Sequence, residues 1–188
     1  DADKDKKAMK KKSVGRELLS LLGYLAVVLV ITYVIVNFVG VRTEVIGTSM
    51  TPTLADGDQL IVEKVSYYFS EPKRYDIIVF PYPEEPDKHY IKRIIGLPGE
   101  TVQIIDGYVY INGELLDEHY GNEVMNNAGI ASDPIVLGED EYFVLGDNRN
   151  NSEDSRCAAV GNIKRSDIDG RAWVRIWPFD SFGILKHR

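Results

Sequence analysis

The sequence predicts a mostly β chain carried behind a single N-terminal transmembrane helix, with a small β insertion inside the β body. Three features predict it. An uncharged run of 24 residues lies close to the N-terminus, short β-branched and aromatic runs follow it, and a polar, turn-rich stretch interrupts those runs.

The uncharged run is "LLSLLGYLAVVLVITYVIVNFVGV", 18–41, with only Ser20, Thr32 and Asn37 as clearly polar side chains. As a helix rising about 1.5 Å per residue it reaches roughly 36 Å, enough to cross a hydrocarbon core of about 30 Å with some tilt. A helix packed in a soluble core would show a polar stripe, and none is present. The apolar part of a cleavable leader is shorter and ends in a small-residue cleavage site, which "FVGVRTEVIG" lacks. The run therefore reads as an uncleaved signal-anchor. Lys10, Lys11, Lys12 and Arg16 precede it, so 1–17 is expected to be a cytoplasmic tail and 42–188 to lie outside the cell membrane. Met9 before three lysines reads as a natural start, with 1–8 an added remnant.

The expected body is β throughout. "DQLIVEK" (58–64), "DIIVF" (76–80), "YIKRIIG" (90–96), "EYFVLG" (141–146) and "RAWVRIW" (171–177) are strand-length runs bounded by turn formers. In "TVQIIDGYVYING", Asp106-Gly107 and Asn112-Gly113 supply the positive-φ residues of two tight hairpin turns. No segment beyond the anchor carries a 3.6-residue period of helical length. The polar stretch 103–140 reads as a small inserted subdomain, least regular at "NNAGIASDP".

Charge narrows the function classes. The first 17 residues hold seven Lys/Arg against four Asp/Glu, whereas 42–188 holds fifteen against twenty-five. A body of net charge −10 argues against a nucleic-acid partner, which requires a basic face. Cys157 is the single cysteine, so no internal disulfide supports the body, and it reads as a small apolar residue.

Three islands could carry chemistry. In "GTSMTPTL", Ser49 lies in a turn ahead of Pro52, and a turn can expose a hydroxyl or simply bond it to the local backbone. In "YIKRIIGLPGE", Lys92 sits in an apolar strand. Alternation puts Lys92 and Arg93 on opposite faces, so only one of them is expected to point inward. A buried Lys92 would lose pKa and become a base, which arginine cannot do; a solvated lysine with a snorkelling arginine fits the pattern as well. In "GDNRNNSEDSR", 146–156, the side chains can orient a base or pair as Asp154 with Arg156. The D-x-D-x-D-G spacing of a calcium loop is absent, and no metal or cofactor is expected. A histidine triad would draw on His89, His119 or His187, but there is no G-x-S-x-G elbow, and serine with lysine is the better pairing.

In this order behind an N-terminal anchor, the islands closely resemble bacterial type I signal peptidase over nearly all of 18–179. The resemblance rests on "SMTPTL", "GDQLIVEKVSY", "RYDIIVFPYP", "YIKRIIGLPGE" and "GDNRNNSEDSR". It implies a membrane-anchored serine endopeptidase with a β-rich catalytic domain that removes signal peptides from exported preproteins after an Ala-x-Ala-like sequence. Its partners are then those preproteins and membrane lipid. It implies Ser49 as nucleophile and Lys92 as general base. It further implies Ser152 hydrogen-bonded to the Lys92 amine, Asp154 and Arg156 as a supporting pair, and the Ser49 N–H as an oxyanion donor. The sequence departs from the family pattern at Gly47, where some relatives carry serine as a second oxyanion donor. It departs also at Asn150 for aspartate and at Tyr75 for glycine. From Val41 to Ser49 the chain spans at most about 27 Å, which would keep the serine near the membrane surface. Trp173 and Trp177 are candidates for the interface there, or for ordinary strand core.

Readings of other classes are a catalytically silent membrane-tethered assembly factor on the same fold, a self-cleaving repressor-type Ser/Lys protease, and a cysteine transpeptidase using Cys157 with a histidine. Retention of both Ser49 and Lys92 weighs against the first, and no DNA-binding module fits ahead of Ser49 for the second.

Overall fold

An N-terminal helix, α1 (Ala2–Val34), precedes twelve short strands in the computed structural model, which describes residues 2–34, 40–121 and 123–186. The Gly15–Val34 part of α1 is long and apolar enough to cross a membrane. Residues 35–39 of the expected anchor, and His187, lie outside the described residues. The chain divides into two compact units, Asp1–Val39 and Gly40–Arg188.

The apolar run extends past its helix. Val41, expected at the end of the anchor, opens strand β1 (Val41–Glu44) and pairs with Val62 of β2 (Gln59–Glu63). Gly40 is needed at this entry, because a Cβ there would stand 2.7 Å from the Ile61 side chain and 3.1 Å from the Val62 carbonyl oxygen. Hydropathy alone cannot separate a membrane residue from the first residue of a sheet.

The β unit is built on antiparallel ladders. Next come β3 (Ile77–Tyr82), β4 (Glu85–Gly96), β5 (Thr101–Ile105), β6 (Tyr108–Ile111) and β7 (Glu114–Leu115). After these follow β8 (Ile135–Val136), β9 (Glu141–Leu145), β10 (Ile163–Lys164), β11 (Gly170–Trp177) and β12 (Gly183–Ile184). The main sheet runs β1-β2-β11-β3-β4-β9-β10, with β12 paired to β11. A second sheet, β7-β6-β5-β8, corresponds to the predicted insertion and begins two residues earlier, at Thr101. Both predicted hairpin turns have positive φ at Asp106, Gly107, Asn112 and Gly113. A single helical turn, α2 (Ser66–Phe69), is the one α-helical segment among the described residues of the β unit.

The insertion shares its core with the body. Val102, Ile104, Val109 and Ile111 of the small sheet pack with Ile95 of β4 and with Phe143 and Leu145 of β9. Another cluster fills the other side of β4 and β9 through Ile78, Phe80, Ile94, Tyr142 and Val144. The C-terminal half of β4 is therefore covered on both faces. Its N-terminal half, residues 85–89, is exposed, and its ladder partner among the described residues is β3 alone. That ribbon is wet on both sides, so its charged sequence gave no apolar pattern and the predicted strand began only at Tyr90.

Candidate active site

The turn bearing Ser49 is held from below by its apolar neighbours. Met50 and Leu54 are buried with Val45 and Leu60, and Leu54 N–H donates to the Met50 carbonyl. Thr51 N–H closes the turn on the Thr48 carbonyl. With the residues on its C-terminal side tied down, Ser49 lines a cleft of about 650 Å³ together with Lys92, Val45, Ile91 and Glu153.

Lys92 enters that cleft from β4. Its Nζ lies 2.9 Å from Ser49 Oγ and donates to the Ile91 carbonyl at 3.0 Å. The Tyr90 ring centroid is 4.9 Å from the same nitrogen. The side chain is buried, and desolvation lowers its pKa to about 8, although Asp154, Glu153 and Asp147 pull in the opposite direction. An amine in this state can accept the Ser49 proton near neutral pH.

The expectation that only one of the two adjacent basic residues points inward is wrong. Arg93 is as buried as Lys92, because both faces of this half of β4 are covered. Its guanidinium makes a two-pronged bond to Asp147, Nε–Oδ1 2.8 Å and Nη2–Oδ2 2.7 Å, donates to the Tyr75 carbonyl and lies on the Tyr120 ring. The consecutive apolar residues Ile94 and Ile95 were the signal for this, since apolar residues of both parities mark a strand covered on two sides.

The loop 146–156 joins these parts. Asn148 N–H donates to the Ser49 carbonyl at 3.0 Å and its side-chain amide to the Thr48 carbonyl at 3.1 Å, while Asn151 holds Thr48 Oγ1. Asp147 accepts from Thr53 as well as Arg93. The predicted Asp154–Arg156 pair is present as two bonds, Nε–Oδ1 2.8 Å and Nη2–Oδ2 2.9 Å, and Asp154 also accepts the Gly146 N–H. A Cβ at Gly146 would collide with Ser152 Oγ and the Ser49 carbonyl oxygen, so glycine permits the close approach.

Ser152 is a correction. Its hydroxyl is buried against Gly146 and makes no hydrogen bond among the described residues, so the expected contact with the Lys92 amine is not formed. The amine is oriented by Ser49 Oγ and the Ile91 carbonyl.

The departures at 47, 75 and 150 have physical readings. Gly47 has φ +90 and open space where a side chain would stand, and its N–H is taken by Asp56 at 2.6 Å. Tyr75 also adopts positive φ, 74, a conformation that suits glycine; its ring contacts Tyr120 at 5.0 Å and its carbonyl receives Arg93. Asn150 fastens the loop to the insertion, accepting from Asn126 N–H and donating to Glu123 and the Val124 carbonyl. Cys157 is half-buried beside Arg149, Ser152 and Arg156, and neither described histidine lines that pocket: His89 pairs with Asp169 and His119 with Asp117. No cluster of His, Cys, Asp and Glu that could hold a metal occurs among the described residues.

Comparison with known proteins matches residues 18–177 to the family described as "Signal peptidase, peptidase S26". A "Signal peptidase I" of Leptolyngbya laminosa is 45% identical over 157 residues, covering 79% of this chain and 74% of that protein. The "Signal peptidase I P" of Bacillus subtilis subsp. natto is 36% identical over 188 residues, 95% of this chain and 100% of the relative. The crystal structure of a signal peptidase I from Enterococcus faecalis V583 aligns at 37% identity and a TM-score of 0.44, over 54% of this chain and 97% of that one. With the family's match spanning much of the apolar part of α1 and most of the β unit, this chain is a member of the signal peptidase family, peptidase S26.

Proposed function

We propose that this chain is a membrane-anchored serine endopeptidase that removes N-terminal signal peptides from exported preproteins, with Ser49 as nucleophile and Lys92 as general base. The observation that carries this reading is the 2.9 Å contact between Ser49 Oγ and a desolvated Lys92 amine within one cleft. In the acylation step the neutral amine takes the Ser49 proton while Oγ attacks the scissile carbonyl. The tetrahedral oxyanion then faces the Ser49 N–H, which has no acceptor among the described residues. Lys92 returns the proton to the departing amine, and a water activated by the same lysine hydrolyses the Ser49 ester. Asp154 and Arg156 support this pair by fixing the loop beneath it through the Gly146 N–H.

Substrate geometry follows from strand edges. Among the described residues β1 pairs only with β2, and residues 89–91 of β4 pair only with β3, so the cleft lies between two unpaired strand edges. An extended peptide can add there by main-chain hydrogen bonds, with Val45, Val79 and Ile91 presenting apolar surface to small side chains near Ser49. The first 17 residues, at the N-terminal end of α1, carry the basic excess, which favours an N-terminus in the cytoplasm and the β unit on the outer side of the cell membrane.

The test is cleavage of a labelled preprotein by the detergent-solubilised full chain beside Ser49→Ala. Wild type releases the mature protein and Ser49→Ala does not. Cleavage by Ser49→Ala at a comparable rate would remove Ser49 as nucleophile. No cleavage by wild type would favour a silent relative of the family.

A further inference from the structure

Three carboxylates act on the Lys92 amine, all from the loop 146–156: Asp147, Glu153 and Asp154. Two of them are already matched by a guanidinium. Asp147 is gripped by Arg93, and Asp154 by Arg156, each through two bonds. Glu153 differs, having no ion pair among the described residues. Its carboxylate instead accepts the Tyr90 hydroxyl at 2.6 Å, with the Tyr82 hydroxyl at 3.4 Å. Tyr82 donates more closely to Glu84, at 3.1 Å, so Tyr90 is the principal tether.

The remaining groups around the amine are accounted for. On its own strand stand the Tyr90 ring and the Ile91 carbonyl; Ser49 faces it from the turn, and its cross-strand partner on β3 is Ile78. Lys88 lies 5.3 Å from the centre of the Tyr90 ring, and His89 is engaged by Asp169. Elsewhere in the cleft, Glu44 lies on β1, and Glu85 and Asp87 on the exposed start of β4. The uncompensated negative charge that bears on Lys92 is therefore that of Glu153.

We propose that Glu153 is a positioning residue of this site: it ties the β3–β4 ribbon to the loop 146–156 through Tyr90, and it holds an unneutralised carboxylate beside the Lys92 amine. This rests on the reading of Ser49 and Lys92 as the reacting pair. The Tyr90 ring bridges the two effects, since it touches the amine on one side and is fixed at its hydroxyl by Glu153 on the other. Burial and the Glu153 hydrogen bond hold that hydroxyl protonated well above the usual phenol range, so the tether persists through the alkaline conditions in which the amine is neutral.

Two substitutions separate charge from tether. Glu153→Gln removes the charge and keeps an acceptor for Tyr90, whereas Tyr90→Phe keeps the charge and the ring but removes the bond. The experiment measures kcat and kcat/KM against pH for the full-length protein on a signal-peptide substrate, with Lys92→Ala alongside. Glu153→Gln should move the acidic limb to lower pH by about half a unit, because a carboxylate near the amine favours its charged form. Its plateau kcat should stay within about threefold of wild type. Tyr90→Phe should lower plateau kcat about three- to tenfold and move the limb by less than Glu153→Gln does, as befits a lost hydrogen bond. Glu153 is exposed, so neither effect should come with a loss of folding, which thermal denaturation checks. If Lys92→Ala is inactive and the Glu153→Gln limb coincides with wild type or moves to higher pH, the inference on Glu153 is overturned while the reading of the pair stands. If Lys92→Ala keeps substantial activity, both fall.

Discussion

Lys92 and Arg93 are neighbours on one strand, equally hidden from water, and they end in opposite electrostatic states. Arg93 meets a carboxylate in the best geometry available to it, two bonds to Asp147 with a carbonyl and an aromatic face completing its surroundings. Lys92 meets a hydroxyl, a carbonyl and a ring, and no carboxylate oxygen within salt-bridge distance among the described residues. Arg93 thus remains a fixed cation that fastens β4 to the loop 146–156 and, through Asp147, to Thr53 of the serine turn. Lys92 is pushed toward the neutral amine, with its pKa at about 8. The difference teaches that burial alone does not make a base. Burial without a paired anion does, on a side chain that is able to release its proton.

The largest effect is expected from exchanging the chemistry at 92. Lys92→Arg keeps a buried cation but cannot give up a proton, so preprotein cleavage should fall by about three orders of magnitude or more. In wild type, kcat/KM should rise with pH on a limb centred at about pH 8, where the amine becomes half neutral. A flat profile from pH 6 to 10, or an active Lys92→Arg, would show that another group activates Ser49.

Next in size is the removal of one partner on the other face. Arg93→Met leaves Asp147 buried without its guanidinium, and should destabilise the β unit by about 3–5 kcal/mol in denaturant melts. Arg93→Met combined with Asp147→Leu should recover much of that loss, because no uncompensated charge then remains. Equal destabilisation in the single and double variants would mean that the pair acts through packing instead.

Lys92 should behave in the reverse sense. Its folded pKa lies below its ordinary value of 10.5, so the folded state holds fewer protons than the unfolded state between about pH 8 and 10.5. The penalty on stability is then fully present below pH 8 and fades as pH rises toward 10.5. At 1.36 kcal/mol per unit it amounts to roughly 3 kcal/mol. Lys92→Met should therefore be more stable than wild type at pH 6–7 and lose that advantage above pH 10.5. An Arg93→Met-like destabilisation at pH 6 would contradict the idea of a strained amine. The smallest effect is expected at Asn148. Asn148→Ala removes the side-chain bond to Thr48 but keeps the main-chain bond to Ser49. It should cost about 1 kcal/mol of stability and lower kcat several-fold with little change in KM.

Short-range chemistry is legible directly along the chain. An uncharged run of helical length, hairpins at Asp106-Gly107 and Asn112-Gly113, and strand runs such as "DIIVF" each follow from residues near one another in the chain. The residues alone offered Ser49 with Lys92, and Asp154 with Arg156, as possible pairings, and the resemblance of the islands to a family singled them out; spacing alone left the lysine's orientation open. The tertiary structure decided what depends on both faces of a strand and on distant loops. It buried Arg93 along with Lys92, because the insertion covers one side of β4 and the Tyr142–Val144 cluster the other. It set Ser152 against Gly146 instead of on the amine, gave Asn148 the carbonyls of Thr48 and Ser49 to hold, and placed Glu153 under Tyr90. It also moved Val41 from the expected anchor into a sheet. The physical reason is common to all five. Hydropathy and alternation report how much of a residue is hidden, whereas what hides it, and with which charge or hydrogen-bond partner, is fixed by chain segments that take their places only when the fold closes, from six positions away for Ser152 and Gly146 to 100 for Asn148 and Thr48.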